Sequence, residues 1–349
     1  MAQPLKLSTG FTFDDVLIRP ARSSIEPRDA KISTTLAGGF SLAVPFLSAA
    51  MDRVTEERMA ITLGRMGGLG ILHRNCSPEF QAGMVKKVKK AGVLVGAACG
   101  PFDAARAELL EESGVDVLVV DCAHGHNAKV IKSAKAIKHR LKRAKMIVGN
   151  IATAEAARDL VSFADAIKVG VGPGSICTTR IVSGVGVPQL SAILDVAKVA
   201  NKFKIPVIAD GGIRTSGDIA KAIAAGASAV MIGNLFAGTD EAPGKVIIRD
   251  NKKFKSYRGM GSRSVLRERH SSDRYLIEGR KAIPEGVEGL VSYCGPITEI
   301  ISELISGVQV AMGYVGARTI CEFHERAEFI FITSASIRES LPHSLMVLN

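Results

Sequence analysis

The sequence has no apolar run that reaches the roughly 18 residues needed to cross a bilayer. Its first ten residues, "MAQPLKLSTG", lack the apolar centre of a secretory leader. Both absences point to a soluble, cytoplasmic protein. The six cysteines, at 76, 99, 122, 177, 294 and 321, form no CxxC pair. A disulfide framework or a zinc site is therefore not expected, and most of these thiols read as buried filler. Tryptophan is absent as well. The main basic run, "KKVKKAG" (86–92), has no interleaved aromatics to stack bases, which disfavours a nucleic-acid partner.

The 349 residues are 47% hydrophobic and 23% charged, with 35 glycines, enough apolar material for a large core. The length allows one large domain or two ordinary ones. A formal charge of +11 fits a solvated basic surface or an anionic small-molecule substrate, with nucleic acid a weaker third reading.

Eight apolar, β-branched runs recur along the chain: 44–51, 67–74, 93–100, 115–123, 146–151, 164–171, 206–212 and 228–234. They are continuous rather than alternating, as strands buried on both faces are, so the sheet should be parallel. Amphipathic stretches such as 101–114 and 216–227 lie between them. Eight strand–helix units with polar or glycine residues at the strand ends predict a closed (β/α)8 barrel. A doubly wound sheet is the alternative, but it would show an early glycine fingerprint instead. Residues 240–296 are polar and charged and read as a flap after the eighth strand. The segment 296–317 reads as a closing helix, and the tail 327–349 as irregular chain that reaches a neighbouring subunit.

In such a barrel the functional face is the C-terminal end of the strands. Those ends supply Ser48, Met51, Asp121, Asn150, Gly170 to Gly174, Asp210, Gly211, Gly212, Gly233 and Asn234. Taken singly, Asn150 and Asn234 read as caps or turn formers. "ADGGIRTSGDIAKA" (209–222) and "VMIGN" (230–234) look like a phosphate cradle at the seventh and eighth strands. Asp210 would repel a phosphate and suits ribose hydroxyls instead, which together suggests a nucleotide. Cys177 lies in "GVGPGSICTTR" (170–180), just past the sixth strand. It is either a small hydrophobe in a tight turn or a nucleophile within reach of substrate. "HSSDRYLIEGRKAIPEGVEG" (270–289) reads by itself as a solvated loop.

Together with "FTFDDVLIRPA" (11–21), "LSAAMDRVTE" (47–56), "GGLGILHRN" (67–75), "DCAHGH" (121–126), "YRGMGS" (257–262) and "SSDRY" (271–275), these motifs resemble the inosine-5′-monophosphate dehydrogenase family over roughly residues 11 to 340. Guanosine monophosphate reductase is the sister enzyme and the alternative reading. "DCAHGH" and the Arg274-Tyr275 pair favour the dehydrogenase. The resemblance implies an NAD-dependent oxidation of inosine monophosphate (IMP) to xanthosine monophosphate, on the route to guanine nucleotides. It also implies a homotetramer.

In that resemblance Cys177 adds to C2 of the purine, hydride leaves for NAD, and water hydrolyses the thioimidate. Arg274 activates the water, aided by Tyr275, with Thr179 as a supporting proton acceptor. A guanidinium pKa above about 12 makes arginine an odd base, so it must act transiently neutral. Ser175, Gly212, Gly233, Asn234 and Tyr257 would hold the phosphate, Asp210 the ribose, and Met260, Gly261 and Glu285 the base. Gly211, Arg258 and Gly259 would join the substrate site. Asp121, Cys122, Ala123, Asn150, Gly170, Val171 and Gly172 would face the cofactor. Carbonyls of Gly172, Gly174 and Cys177 would hold K+, joined by Glu339, Ser340 and Leu341 from a neighbour's tail.

Three departures stand out. Asn234 sits where the family usually has serine. Leu341 replaces a more polar residue. The family's usual pair of regulatory cystathionine-β-synthase-type (CBS) modules after the second barrel unit has no room here, so a single catalytic domain, 1–349, is expected.

Overall fold

The computed structural model describes residues 7–268 and 283–344. Eight parallel strands close into a barrel. They are β1 (Phe46–Ser48), β2 (Leu69–Leu72), β3 (Val95–Cys99), β4 (Val117–Asp121), β5 (Lys145–Ile151), β6 (Ala166–Val169), β7 (Val207–Asp210) and β8 (Ala229–Ile232). Each coincides with one of the apolar runs, and β8 pairs with β1 to complete the ring. Side chains such as Leu47, Leu69, Ile71, Val117, Val119, Ile147, Ile208 and Met231 fill the barrel's interior. They pack as a core, not a channel.

The helices α1 (Glu57–Arg65), α2 (Pro78–Lys90), α3 (Ala104–Glu112), α4 (Ala128–Arg140), α5 (Ala154–Leu160), α6 (Gln189–Ala200), α7 (Ser216–Ala224) and α8 (Ile297–Val315) surround it. Their starts follow from local chemistry. Ser77, Asp103, Asn127, Thr153 and Thr215 each accept a backbone N–H of the first turn. Glu241 accepts the Ile297 amide at 2.9 Å and does the same for α8. Among the described residues no helix is long and apolar enough to cross a membrane.

Two regions differ from the sequence reading. Within 240–296, three strands, β9 (Ile247–Arg249), β10 (Lys252–Arg258) and β11 (Glu288–Ser292), form an antiparallel sheet. Buried Lys255 fastens it to the barrel by donating to the carbonyls of Thr239 and Ala242. The tail is regular in part. Phe329–Phe331 pairs with Val16–Ile18, and Ser334–Glu339 is a helix. Polar faces hid the first sheet, and the tail's partner lies more than 300 residues earlier in the chain.

Candidate active site

One cleft opens at the C-terminal ends of the strands, under the loop between β6 and α6. It is lined by Cys177, Thr179, Ser175, Asp210, Gly211, Gly212, Gly233, Asn234, Tyr257, Gly259, Met260, Gly261 and Glu285. Asp121, Cys122, Ala123, Asn150, Gly170, Val171, Gly172 and Gly174 line it as well. So do Ala49, Ala50 and Met51, from the end of β1.

The loop carrying Cys177 is held from both sides. The Cys177 amide donates to Gly174 O at 3.1 Å, and Arg180 donates to the carbonyls of Val171 and Val187. Cys177 also bridges Gly286, while Thr178 N donates to Glu285 O and Val287 N to Ile176 O. These bonds place three side chains in line. Cys177 Sγ donates to Thr179 Oγ1 at 3.2 Å, and Thr179 Oγ1 donates to Glu285 Oε2 at 2.7 Å. A thiol, a hydroxyl and a carboxylate so arranged form a path along which a proton can leave sulfur.

The loop's entry is sterically set. Gly170 has φ 147°, and a Cβ there would sit 2.1 Å from Asp210 O. On the opposite wall a Cβ at Gly233 would lie 2.7 Å from the Tyr257 hydroxyl. Tyr257 is buried, and that burial pushes its hydroxyl well above the usual tyrosine range, so it stays a neutral donor.

The cleft floor is a charged cluster. Lys168, on β6, donates to Asp121 Oδ1 at 3.0 Å, to Asp210 Oδ2 at 2.6 Å and to Asn150 Oδ1. Asn150 Nδ2 donates to Asp210 Oδ2 and Gly170 O. Asn150 is thus neither a cap nor a turn former. Sequence reasoning passed over Lys168. Its signal was a lysine inside the apolar run "ADAIKV", where an ammonium needs partners. Cys122 lines the cleft, yet its thiol is fully buried and donates to Gly149 O at 3.3 Å. Farther along the same loop, His126 pairs with Asp159 at 3.0 Å, and burial pulls His124 below the usual histidine value.

Other expected residues fall elsewhere. Arg258 does not line the cleft; it pairs with Asp52 and Glu268, and these partners hold its guanidinium charged. Its two carboxylate partners lie in the turn that follows β1 and at the end of the helix Arg263–Glu268. Glu339, Ser340 and Leu341, expected to act from a neighbouring copy, lie at the end of the helix Ser334–Glu339 and just past it. Arg274 and Tyr275 lie outside the described residues.

Gly172, Gly174 and Cys177 share one turn, and backbone carbonyls are the oxygen donors that suit a hard cation such as K+. Asp121, Ala123, Gly170 and Gly172 line one part of the cleft, where the Asp121 side chain is only 4% exposed and Asp210 O and the Arg180 side chain fill the space that a Cβ at Gly170 or Gly172 would need.

A model of the "IMP dehydrogenase / GMP reductase domain" matches residues 10–343. The inosine-5′-monophosphate dehydrogenase of Borreliella burgdorferi is 44% identical over 393 aligned residues, covering 96% of each chain. That of Cryptosporidium parvum is 42% identical, covering 98% of this chain and 97% of its own. The Methanocaldococcus jannaschii enzyme is 38% identical, covering 99% and 97%. The fold, the cleft and these similarities agree: the chain belongs to the IMP dehydrogenase / GMP reductase family.

Proposed function

We propose that this chain is an IMP dehydrogenase, which oxidises IMP to xanthosine monophosphate with NAD as the oxidant. The observation that carries the reading is the Cys177–Thr179–Glu285 line inside the cleft at the strand ends. Ser175, Gly212, Gly233 and Tyr257 hold the phosphate, and Asp210 accepts from the ribose. Cys177 Sγ bonds to C2 of the purine as its proton passes through Thr179 to Glu285. C2 then loses its hydrogen with the bonding electron pair, leaving the purine on sulfur as a thioimidate. A nicotinamide dinucleotide, when bound beside Cys177, supplies the hydride acceptor. Water attacks C2, the C2–S bond breaks, and the leaving sulfur takes its proton back from Glu285 through Thr179 to restore the thiol. Arg274, assisted by Tyr275, takes the proton of that water. Division into two easier steps is what the covalent bond contributes.

The proposal extends to assembly and setting. K+ sits on the Cys loop, completed by Glu339, Ser340 and Leu341 of a second copy, and the protein is a homotetramer. The cytoplasm suits six cysteines that are all free. The chain forms one catalytic domain without the CBS pair. In support, only four residues separate the end of α2 at Lys90 from the start of β3 at Val95. The alignment with the archaeal relative also runs to 482 positions, against 349 residues in this chain.

The test is a paired assay with and without K+. IMP plus NAD should yield reduced cofactor, faster with K+. Turnover of GMP plus NADPH alone would instead assign the chain to the reductases. In Arg274→Ala, reduced cofactor should appear as a burst equal to the enzyme present and then stall. Equal slowing of both phases would remove Arg274 from the hydrolytic step.

A further inference from the structure

Lys168 lies at the cleft floor with no part in the bond changes described above. Its ammonium has three hydrogens and meets three oxygens, each on a different strand. They are Asp121 Oδ1 on β4, Asn150 Oδ1 on β5 and Asp210 Oδ2 on β7. The Lys168 side chain is 2% exposed, whereas that of Asp210 is 20% exposed and reaches the cleft. Asp210 Oδ2 accepts from both Lys168 and Asn150 Nδ2, which fixes the carboxylate plane and leaves Oδ1 for a ligand. Without the ammonium, two like charges would approach the same floor and push each other out of place.

We propose that Lys168 is a positioning residue, whose ammonium, anchored on buried Asp121, clamps Asp210 so that ribose hydroxyls meet a carboxylate already held in place. The proposal deepens the nucleotide reading given above and rests on it. The three hydrogens of its ammonium are taken within the protein, so it acts through Asp210 on the nucleotide ribose, while Asp121, its side chain only 4% exposed, anchors the other side of the ammonium.

Calorimetric titration of the full chain with IMP, and with its 2′,3′-dideoxy counterpart, tests the clamp. Lys168→Met should weaken IMP binding by about tenfold or more, the scale of a hydrogen bond to a charged group. The dideoxy nucleotide should lose less than about threefold, because it has no hydroxyls for Asp210 to accept. Equal losses for both nucleotides would mean a merely loosened barrel and overturn the proposal. So would an unchanged affinity for IMP. A wild-type protein that binds neither nucleotide would defeat the functional reading and this proposal together.

Should Lys168→Met not fold, Asp210→Asn and the Asp210→Asn/Lys168→Met pair carry the same test with less unbalanced charge. On the Asp210→Asn background the second substitution should weaken IMP by less than about threefold. A full tenfold further loss would show that Lys168 does not act through Asp210.

Discussion

The two mouths of the barrel use their carboxylates differently. At the N-terminal mouth Glu111 accepts the amides of Lys142, Arg143 and Ala144 at 2.6 to 3.0 Å. Asp116 accepts the Val95 amide at 2.9 Å and pairs with Lys89, and Asp165 accepts the Met146 amide at 2.6 Å and pairs with Lys138. These acids close off the starts of β3 and β5 by satisfying the chain's own donors. At the C-terminal mouth Asp210 is held on one oxygen and open on the other, and Glu285 takes its bond from Thr179, beside a thiol. One face is saturated and serves stability. The other keeps unused hydrogen-bonding capacity beside a nucleophile and serves chemistry. Substitutions at the two faces should therefore separate activity from stability.

The sharpest separation is at Cys177. Cys177→Ala should lower turnover by about 10⁴-fold or more, while nucleotide binding and the thermal midpoint hold. Steady-state rates, calorimetry and melting curves on one preparation decide it, and retained turnover would remove the nucleophile.

Next comes Glu111→Ala, on the opposite mouth. It orphans three amides and should cost about 2 kcal/mol or more in urea unfolding, with kcat/KM changed less than about twofold. A large fall in kcat/KM at equal stability would erase the contrast between the faces.

Thr179→Val keeps the shape of the side chain and removes the hydroxyl between sulfur and Glu285. Turnover should fall by about 10²-fold with little change in melting temperature. A wild-type rate would show that the thiol loses its proton by another path.

The smallest effect is a pH trend. Burial opposes ionisation of Glu111, but the amides of Arg143, Ala144 and Lys142 outweigh it and hold its carboxyl below 4.5. Its stabilising contribution is therefore complete above the unfolded value near 4.5, and it fades as pH falls through the lower folded value. The stability gap between wild type and Glu111→Ala should be flat from pH 7 to 5.5 and narrow towards pH 3. A gap that widened on acidification would reverse the assignment.

Much of this was legible in the chain. Strands covered on both faces must be apolar throughout, so eight runs marked eight strands. A glycine-rich turn with a cysteine past β6 marked the site, and nearly every expected lining residue meets in one cleft. Three features were not legible, each for a physical reason. Lys168 is a single charge in an apolar run, and its three partners come from strands distant in sequence. β11 shows mostly exposed residues, so its pattern resembles loop. Arg258 sits inside a motif that pointed to the substrate, yet two carboxylates, one of them 206 positions away, hold it elsewhere.

The most direct measurement is mass spectrometry of enzyme quenched while consuming IMP and NAD. The account predicts a peptide spanning 170–180 that is heavier by one purine nucleotide bonded to Cys177. Turnover with that peptide unmodified, or with the nucleotide on exposed Cys294 or Cys321 instead, would contradict it.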